Sequence, residues 1–425
     1  MFEAILNAFR APDLRRRILY VAGILLVFRM LAHVPVPGVD ATALRAFLDQ
    51  SPIFGLLDLF SGGGLTTFSV VALGVNPYIN ASIIMQLMTG VVPSLQALQR
   101  EGEYGRQKIN QYTRYLAVPM ALLQAYGFLA LLSANNVLKT PFDLGSWETI
   151  TQIITLMAGS VTLMWLGELI TEKGIGNGIS FIIFAGIVSR APGALTGFIA
   201  SPDLARLVLL GILGVAAVAV IIYIQEGQRR IPIQYASRVR GRRMYQGGQT
   251  FLPLRVNQAG VIPIIFAVSI LLFPSQIASY FTTSPGIVGD IANAIVKYLS
   301  QGSVLYVVLY FLLTFGFTYF YTAFTFKPDE TAEQLRKNGG FIPGIRPGRP
   351  TQDYLARVVT RITVAGALFL GIVAAAPPFI ALIQPQMQGL ALGGTGILIV
   401  VSVVVETMKQ LEAQLLIRQY EGFIR

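Results

Sequence analysis

Residues 303–325 read S-V-L-Y-V-V-L-Y-F-L-L-T-F-G-F-T-Y-F-Y-T-A-F-T, with neither a charge nor a proline. One helix of this length crosses a hydrocarbon core about 30 Å thick. In lipid only a helix or a closed barrel satisfies its own backbone. Working outward, similar apolar blocks recur at 18–35, 76–92, 113–132, 149–170, 179–199, 204–224, 258–280, 362–383 and 394–412. Together these make ten expected spans and predict an all-α polytopic membrane protein. Composition agrees: of 425 residues, 54% are hydrophobic and 12% charged, with a mean hydropathy of +0.63. Soluble domains carry about 25% charged residues. Pro35 and Pro37 follow the first block where a cleavable leader would need small residues.

The net charge of +11 sits in the connections, so its side of the membrane matters more than its sum. With the N-terminus placed inside, 26 of the 32 basic residues fall on the cytoplasmic side. They lie in the first 17 residues, in 93–114, at Lys173, in the loops 225–257 and 327–361, and in the tail. Arg45, Lys139, Arg190, Arg206 and Lys297 fall outside, and Arg29 lies within the first block. Cytoplasmic loops carry the Lys/Arg excess, so both termini are expected in the cytoplasm, as an even span count requires. Ten spans divide into halves at 1–200 and 201–425. An odd number in each half gives related halves opposite topology, the inverted-repeat arrangement.

What the blocks lack narrows the function. There is no cysteine and one histidine, His33, so no metal cluster, thiol nucleophile or cofactor site is expected. No Walker A sequence is present, so energy must come from elsewhere. Glu168 and Glu406 are the acidic residues of the spans, both toward cytoplasmic ends. A coupled transporter of a small solute, the alternative reading, needs carboxylates or unwound backbone nearer the midplane. Arg29 reads as a snorkelling or paired structural arginine rather than a pore residue.

Three connections are unlike ordinary loops. Residues 55–78, G-L-L-D-L-F-S-G-G-G-L-T-T-F-S-V-V-A-L-G-V-N-P-Y, contain an apolar piece at 65–73 too short to span, with Gly62, Gly63, Gly64 and Gly74 at its ends. Such a piece is either a short re-entrant helix in a cavity, as a movable plug would be, or a surface loop with some apolar packing. In 225–257 the alternation of Ile231, Ile233 and Tyr235 predicts a strand arm, with Gly241 at a hairpin turn. In 327–361 the string N-G-G-F-I-P-G-I-R-P-G-R-P forbids regular helix or central strand over 339–350 and holds Arg346 and Arg349 on stiff backbone. Seven basic residues in each loop suit an acidic protein face or RNA phosphate, as well as anionic lipid.

Several strings carry a resemblance. N-P-Y-I-N-A-S-I-I-M-Q-L at 76–87, G-I-G-N-G-I-S at 174–180, Q-A-G-V-I-P-I-I-F-A at 258–267, G-F-I-P-G-I-R-P-G at 340–348 and G-G-T-G-I-L-I-V-V at 393–401 resemble the SecY family of bacterial protein-translocation channels. The resemblance runs in order over essentially the whole chain. It implies two inverted five-helix halves around a central hourglass pore in the cytoplasmic (inner) membrane. By motif match it implies a pore ring of Ile79, Ile83, Ile179, Ile183, Ile265 and Ile399, and a plug over 60–74 that includes Gly62, Gly63, Gly64, Leu65, Phe68 and Val71. It implies a lateral gate of spans two and three against seven and eight, with Ser82, Gln86, Thr89, Ser269 and Phe273 in the gate region. It further implies that Arg238, Arg240, Arg242, Arg243, Arg336, Lys337, Arg346 and Arg349 dock the SecA motor or the ribosome, and that SecE and SecG are partner subunits. The cargo would be secretory and membrane-protein precursors. Gly396 and Asn80 stand where the family pattern favours serine.

Overall fold

The computed structural model describes residues 11–50, 58, 61–199, 204–235, 238–240, 243–245, 249–282, 284–299, 303–383 and 388–424. The first half contains α1 (Pro12–Leu31), α2 (Ala41–Gln50), α3 (Asn76–Val91), α4 (Pro93–Arg100), α5 (Glu103–Ala134), α6 (Trp147–Lys173) and α7 (Gly178–Ile199). The second contains α8 (Leu204–Glu226), strands β1 (Gln228–Tyr235), β2 (Arg238–Arg240), β3 (Arg243–Tyr245) and β4 (Gln249–Arg255), then α9 (Ile262–Ser279), α10 (Ile287–Tyr298), α11 (Val304–Thr325), α12 (Pro328–Lys337), β5 (Gly340–Phe341), α13 (Arg349–Ile383) and α14 (Gln388–Ile424). A helix lies on each of the ten apolar blocks. Among the described residues, five helical stretches are long and apolar enough to cross a membrane: Glu103–Ala134, Trp147–Lys173, Ile262–Ser279, Val304–Lys337 and Arg349–Ile380. The pair Asn76–Val91 and Pro93–Arg100 passes the same test together, bent by 96°.

Prolines set several boundaries. Pro12, Pro77, Pro93, Pro263 and Pro328 sit in first turns, where a missing N–H costs nothing. The bend after α3 follows from Pro93, which pushes Val92 into extended backbone (φ −88°, ψ 116°). Asp40 precedes α2 and accepts hydrogen bonds from the Thr42 amide (2.8 Å) and hydroxyl (2.6 Å). These bonds hold its carboxyl below the usual carboxylate range.

The helices bury one continuous apolar cluster, drawn from α1, α2, α3, α5, α6 and α7 of the first half and from α8, α9, α11, α13 and α14 of the second. The halves meet where α3 packs on α9 and α7 on α14. Gly127 of α5 permits one close approach between them, since a Cβ there would lie 2.0 Å from the Tyr280 ring.

Residues 61–75 depart from the expected short helix. They form a chain of turns, with Gly62, Gly63, Gly74 and Phe68 at positive φ. Glycine tolerates that region and a regular helix cannot contain it. The surface-loop reading also fails: Leu65, Phe68, Val71, Ala72, Leu73 and Val75 are all buried.

The two large basic loops build a common structure. β1 pairs antiparallel with β4 from Gln228↔Arg255 to Gln234↔Gln249, and β5 adds to its other edge through Gln234↔Phe341 and Tyr235↔Gly340. Ile231 and Ile233 are buried as the alternation predicts. Ile231 joins Leu254, Ala332, Ile342, Leu355 and Val359 in a separate small core. Pro232 stands opposite Phe251 of β4 and lies beyond the two β1 residues that pair with β5. β2 and β3 form a hairpin with Arg240 opposite Arg243, while Gly241, the expected turn residue, lies outside the described residues.

Gly159 of α6 is placed against the turn segment, where a Cβ would lie 1.9 Å from the Val70 carbonyl oxygen. Gly159→Val should therefore push α6 off the segment and cost about 1–3 kcal/mol. Thermal unfolding in detergent checks this: a clear drop in Tm is expected, and an unchanged Tm would contradict the packing.

Candidate functional site

Ile79 and Ile83 lie one turn apart on α3. With Ile183 on α7, Ile265 on α9 and Ile399 on α14, they are buried, and Ile179 is partly buried. All six belong to the same apolar cluster as Leu65, Phe68 and Val71 of the turn segment. The six expected ring residues and the expected plug residues thus share one extended apolar cluster, to which four helices and one non-helical segment contribute them. Beside them, a cavity of about 250 Å³ is lined by Asn177, Ser180, Gln225, Arg255 and Asn257 among others. Across that cavity region, Gln225 of α8 hydrogen-bonds Ser402 of α14, and Lys409 pairs with Glu226 at 3.0 Å.

The turn segment is tied on every side. The Val36 amide donates to the Phe68 carbonyl (2.8 Å) and the Val70 amide to the Val34 carbonyl (3.0 Å). Thr67 Oγ1 donates to the Ala32 carbonyl (2.9 Å), and Ser160 Oγ of α6 to the Gly74 carbonyl (2.9 Å). The Phe68 ring stacks on Phe128 of α5, with centroids 6.1 Å apart. Arg29 donates to the Gly62 carbonyl (2.6 Å) and to Ser189 Oγ (3.0 Å), so the charge in the first block is a paired structural arginine. Gly62 fits so closely that a Cβ would lie 2.9 Å from the Phe28 ring and 3.0 Å from the Gly186 backbone.

Sequence reasoning did not single out Asp58 or Arg190. Asp58 is 2% exposed and accepts from the amides of Leu65 (3.0 Å) and Thr66 (2.9 Å). It also makes an ion pair with Arg190 of α7. The available signal was an acid inside an apolar run just ahead of three glycines. Glu168 is neutralised by Arg114, at 2.5 Å across α6 and α5.

The gate-region residues fall on two packed helices. On α3, Gln86 donates to Ser82 Oγ (3.3 Å) and Thr89 donates to the Gln86 carbonyl (2.7 Å). Ser269 on α9 is buried and Phe273 partly buried. The expected docking residues are spread over the two basic loops. Arg238, Arg240 and Arg243 lie on the β2–β3 hairpin, and Arg242 lies outside the described residues. Arg346 and Arg349 are exposed, flanked by Gly344 and Gly348 at positive φ. Thr351 Oγ1 donates to the Arg346 carbonyl (2.9 Å), which fixes that turn. Arg336 and Lys337 end α12, and both pair with Glu333 at 3.8 and 3.2 Å. Exposed pairs of this kind contribute little, so both remain open to a partner. Among the described residues, no group of three His, Asp or Glu side chains stands close enough to hold a metal.

The family model for SecY matches residues 69–408. The protein translocase subunit SecY of Streptomyces scabiei is 43% identical over 443 residues, and that of Mycobacterium tuberculosis 42% over 443. Each match covers 100% of this chain and of the relative. Among solved structures, a protein-conducting channel superposes with a TM-score of 0.64 at 20% identity, covering 93% of this chain and 91% of that one. Sec61 from a canine ribosome-channel complex of the endoplasmic reticulum gives 0.60 at 19% identity, with the same coverage. The structures speak for the fold. The unbroken match to full-length relatives speaks for descent, and on it this chain belongs to the SecY family.

Proposed function

We propose that this chain is the pore-forming subunit of a protein translocase. It passes unfolded secretory polypeptides across the cytoplasmic membrane and releases hydrophobic segments sideways into lipid. The observation that carries this reading is the identity of 43% over the full length to translocase subunits. The chain is a multi-pass membrane channel subunit and not an enzyme. The small-solute transporter reading finds no relative to support it.

The finer assignments follow from chemistry. Ten spans, arranged as halves 1–200 and 201–425 with both termini in the cytoplasm, fit the ten helices and the basic-residue asymmetry. Ile79, Ile83, Ile179, Ile183, Ile265 and Ile399 would line the waist of an hourglass pore. An apolar constriction dewets, so it resists ions at rest, and it gives a passing chain no specific hydrogen bond to stick to. The turns of 61–75, packed into the same cluster, would seal the pore as a plug. The α3–α9 contact would be the lateral gate, with Ser82, Gln86, Thr89, Ser269 and Phe273 along it.

The sequence has no Walker A motif, so thrust would be delivered from outside, at the sheet built by the two basic loops. Its exposed arginines suit an acidic face of the SecA motor or ribosomal RNA. A yeast Ssh1 complex bound to the 80S ribosome shares the fold at a TM-score of 0.63. SecE and SecG are the expected companion subunits, and anionic lipid the expected neighbour of the basic N-terminus.

Arg346→Glu should reduce motor-driven precursor transport at least about tenfold, the scale of one lost charge-assisted contact with repulsion added. Thermal stability should hold, because this side chain is exposed. Normal transport by the variant would remove Arg346 from the docking face. Ile83→Asn or Ile399→Asn should wet the waist and raise ion leak through vesicles holding the resting channel. A leak equal to that of the native chain would remove the ring assignment.

A further inference from the structure

We propose that Asp58 and Arg190 form a latch that holds the plug shut, with Asp58 positioning the plug's leading turns. This rests on reading 60–74 as a plug. Asp58 sits at the entry to the segment and Arg190 on α7, so the pair joins two parts that must separate when a polypeptide passes.

The carboxylate is used completely. Oδ1 accepts from the Leu65 and Thr66 amides, which winds the chain of 61–66 around it, and Oδ2 meets the Arg190 guanidinium. The Asp58 side chain is 3% exposed and that of Arg190 39%. The acid is thus sealed in while its partner reaches out toward solvent. A carboxylate so buried is tolerable only while it is paired. Arg29 reinforces the same end, bridging the Gly62 carbonyl and Ser189, the neighbour of Arg190. Two guanidiniums therefore grip one turn from two helices. The contacts farther along, at Phe68 and Val70, are neutral backbone bonds to residues 34–36.

The latch makes a prediction of sign that ordinary packing does not. Arg190→Met leaves a buried, unpaired carboxylate and should be the leakiest variant, by about tenfold over the native channel once the exposure of Arg190 is discounted. Asp58→Asn keeps an oxygen for the two amides and should leak less. The double variant should leak less than Arg190→Met alone, because removing the second charge relieves the first defect.

The test reads ion leak in vesicles holding the full chain with its companion subunits, for the native channel, both single variants, the double variant and a deletion of 62–72. That order of leaks supports the latch. Equal leaks in the native and point variants, or a double variant worse than Arg190→Met, overturn it, provided that the deletion leaks. A tight deletion variant overturns the plug reading itself. Should the point variants fail to fold, a second measurement decides. The chain has no cysteine, so Asp58→Cys and Arg190→Cys together can be joined by a bis-methanethiosulfonate linker, which forms a reducible disulfide with each thiol and releases methanesulfinate. Precursor transport should stop on linking and return on reduction, and transport through the linked channel would overturn the proposal.

Discussion

Backbone that leaves the helix at membrane depth must find every partner inside the protein, since lipid offers none. Much of the first half is arranged around that requirement at residues 61–75. Ser160 and Arg29 reach in from α6 and α1, the 32–36 stretch lends its carbonyls and an amide, and Asp58 satisfies two amides at once. The helices come close because glycine faces the segment at Gly159, and because Gly62 itself presents no Cβ to α1 and α7. The result is an irregular body, apolar outward and satisfied inward, that fills space without being a span.

That construction suits something which must be stable at rest and removable. A span could not leave without exposing its apolar face to water. A short chain of turns, held by polar bonds along its length and by the buried contacts of Leu65, Phe68 and Val71, has less apolar surface to give up than a whole span. Ile79 donates its amide to the Val75 carbonyl (3.0 Å) at the end of the segment, while the side chains of Ile79, Ile83 and Ile183 are apolar and offer it only contact. The sheet of β4, β1 and β5 is built to the opposite end. Its own small core around Ile231, Leu254 and Leu355 makes it rigid, and α13 runs from it directly into the bundle. Were the turn at Arg346 the docking face, a push there would reach the bundle through α13, which begins at Arg349.

Much of this was legible from residue order. Ten apolar blocks coincide with ten helices, because a long uncharged run in lipid has one available conformation. The strand at Ile231 and Ile233 was legible from its two-residue period. The irregular backbone around Arg346 was legible from Pro343, Gly344, Pro347 and Gly348. The form of residues 61–75 was not. Leu65 to Leu73 reads as a short helix, and only the tertiary partners that stabilise positive φ at Phe68 displace it. Nor was the joining of loops 225–257 and 327–361 into one sheet, since β5 is two residues long and pairs across a hundred residues of chain. Asp58 and Arg190 escaped notice because each looks like a stray charge until the fold brings them together.

The most direct measurement uses vesicles that contain this chain with SecE and SecG. SecA, ATP and an unfolded secretory precursor are added outside, and protease follows. The account predicts that a fraction of the precursor becomes protected, and only when both SecA and ATP are present. Full digestion under all conditions, with the chain folded and the sheet of β4, β1 and β5 facing the motor, would contradict it.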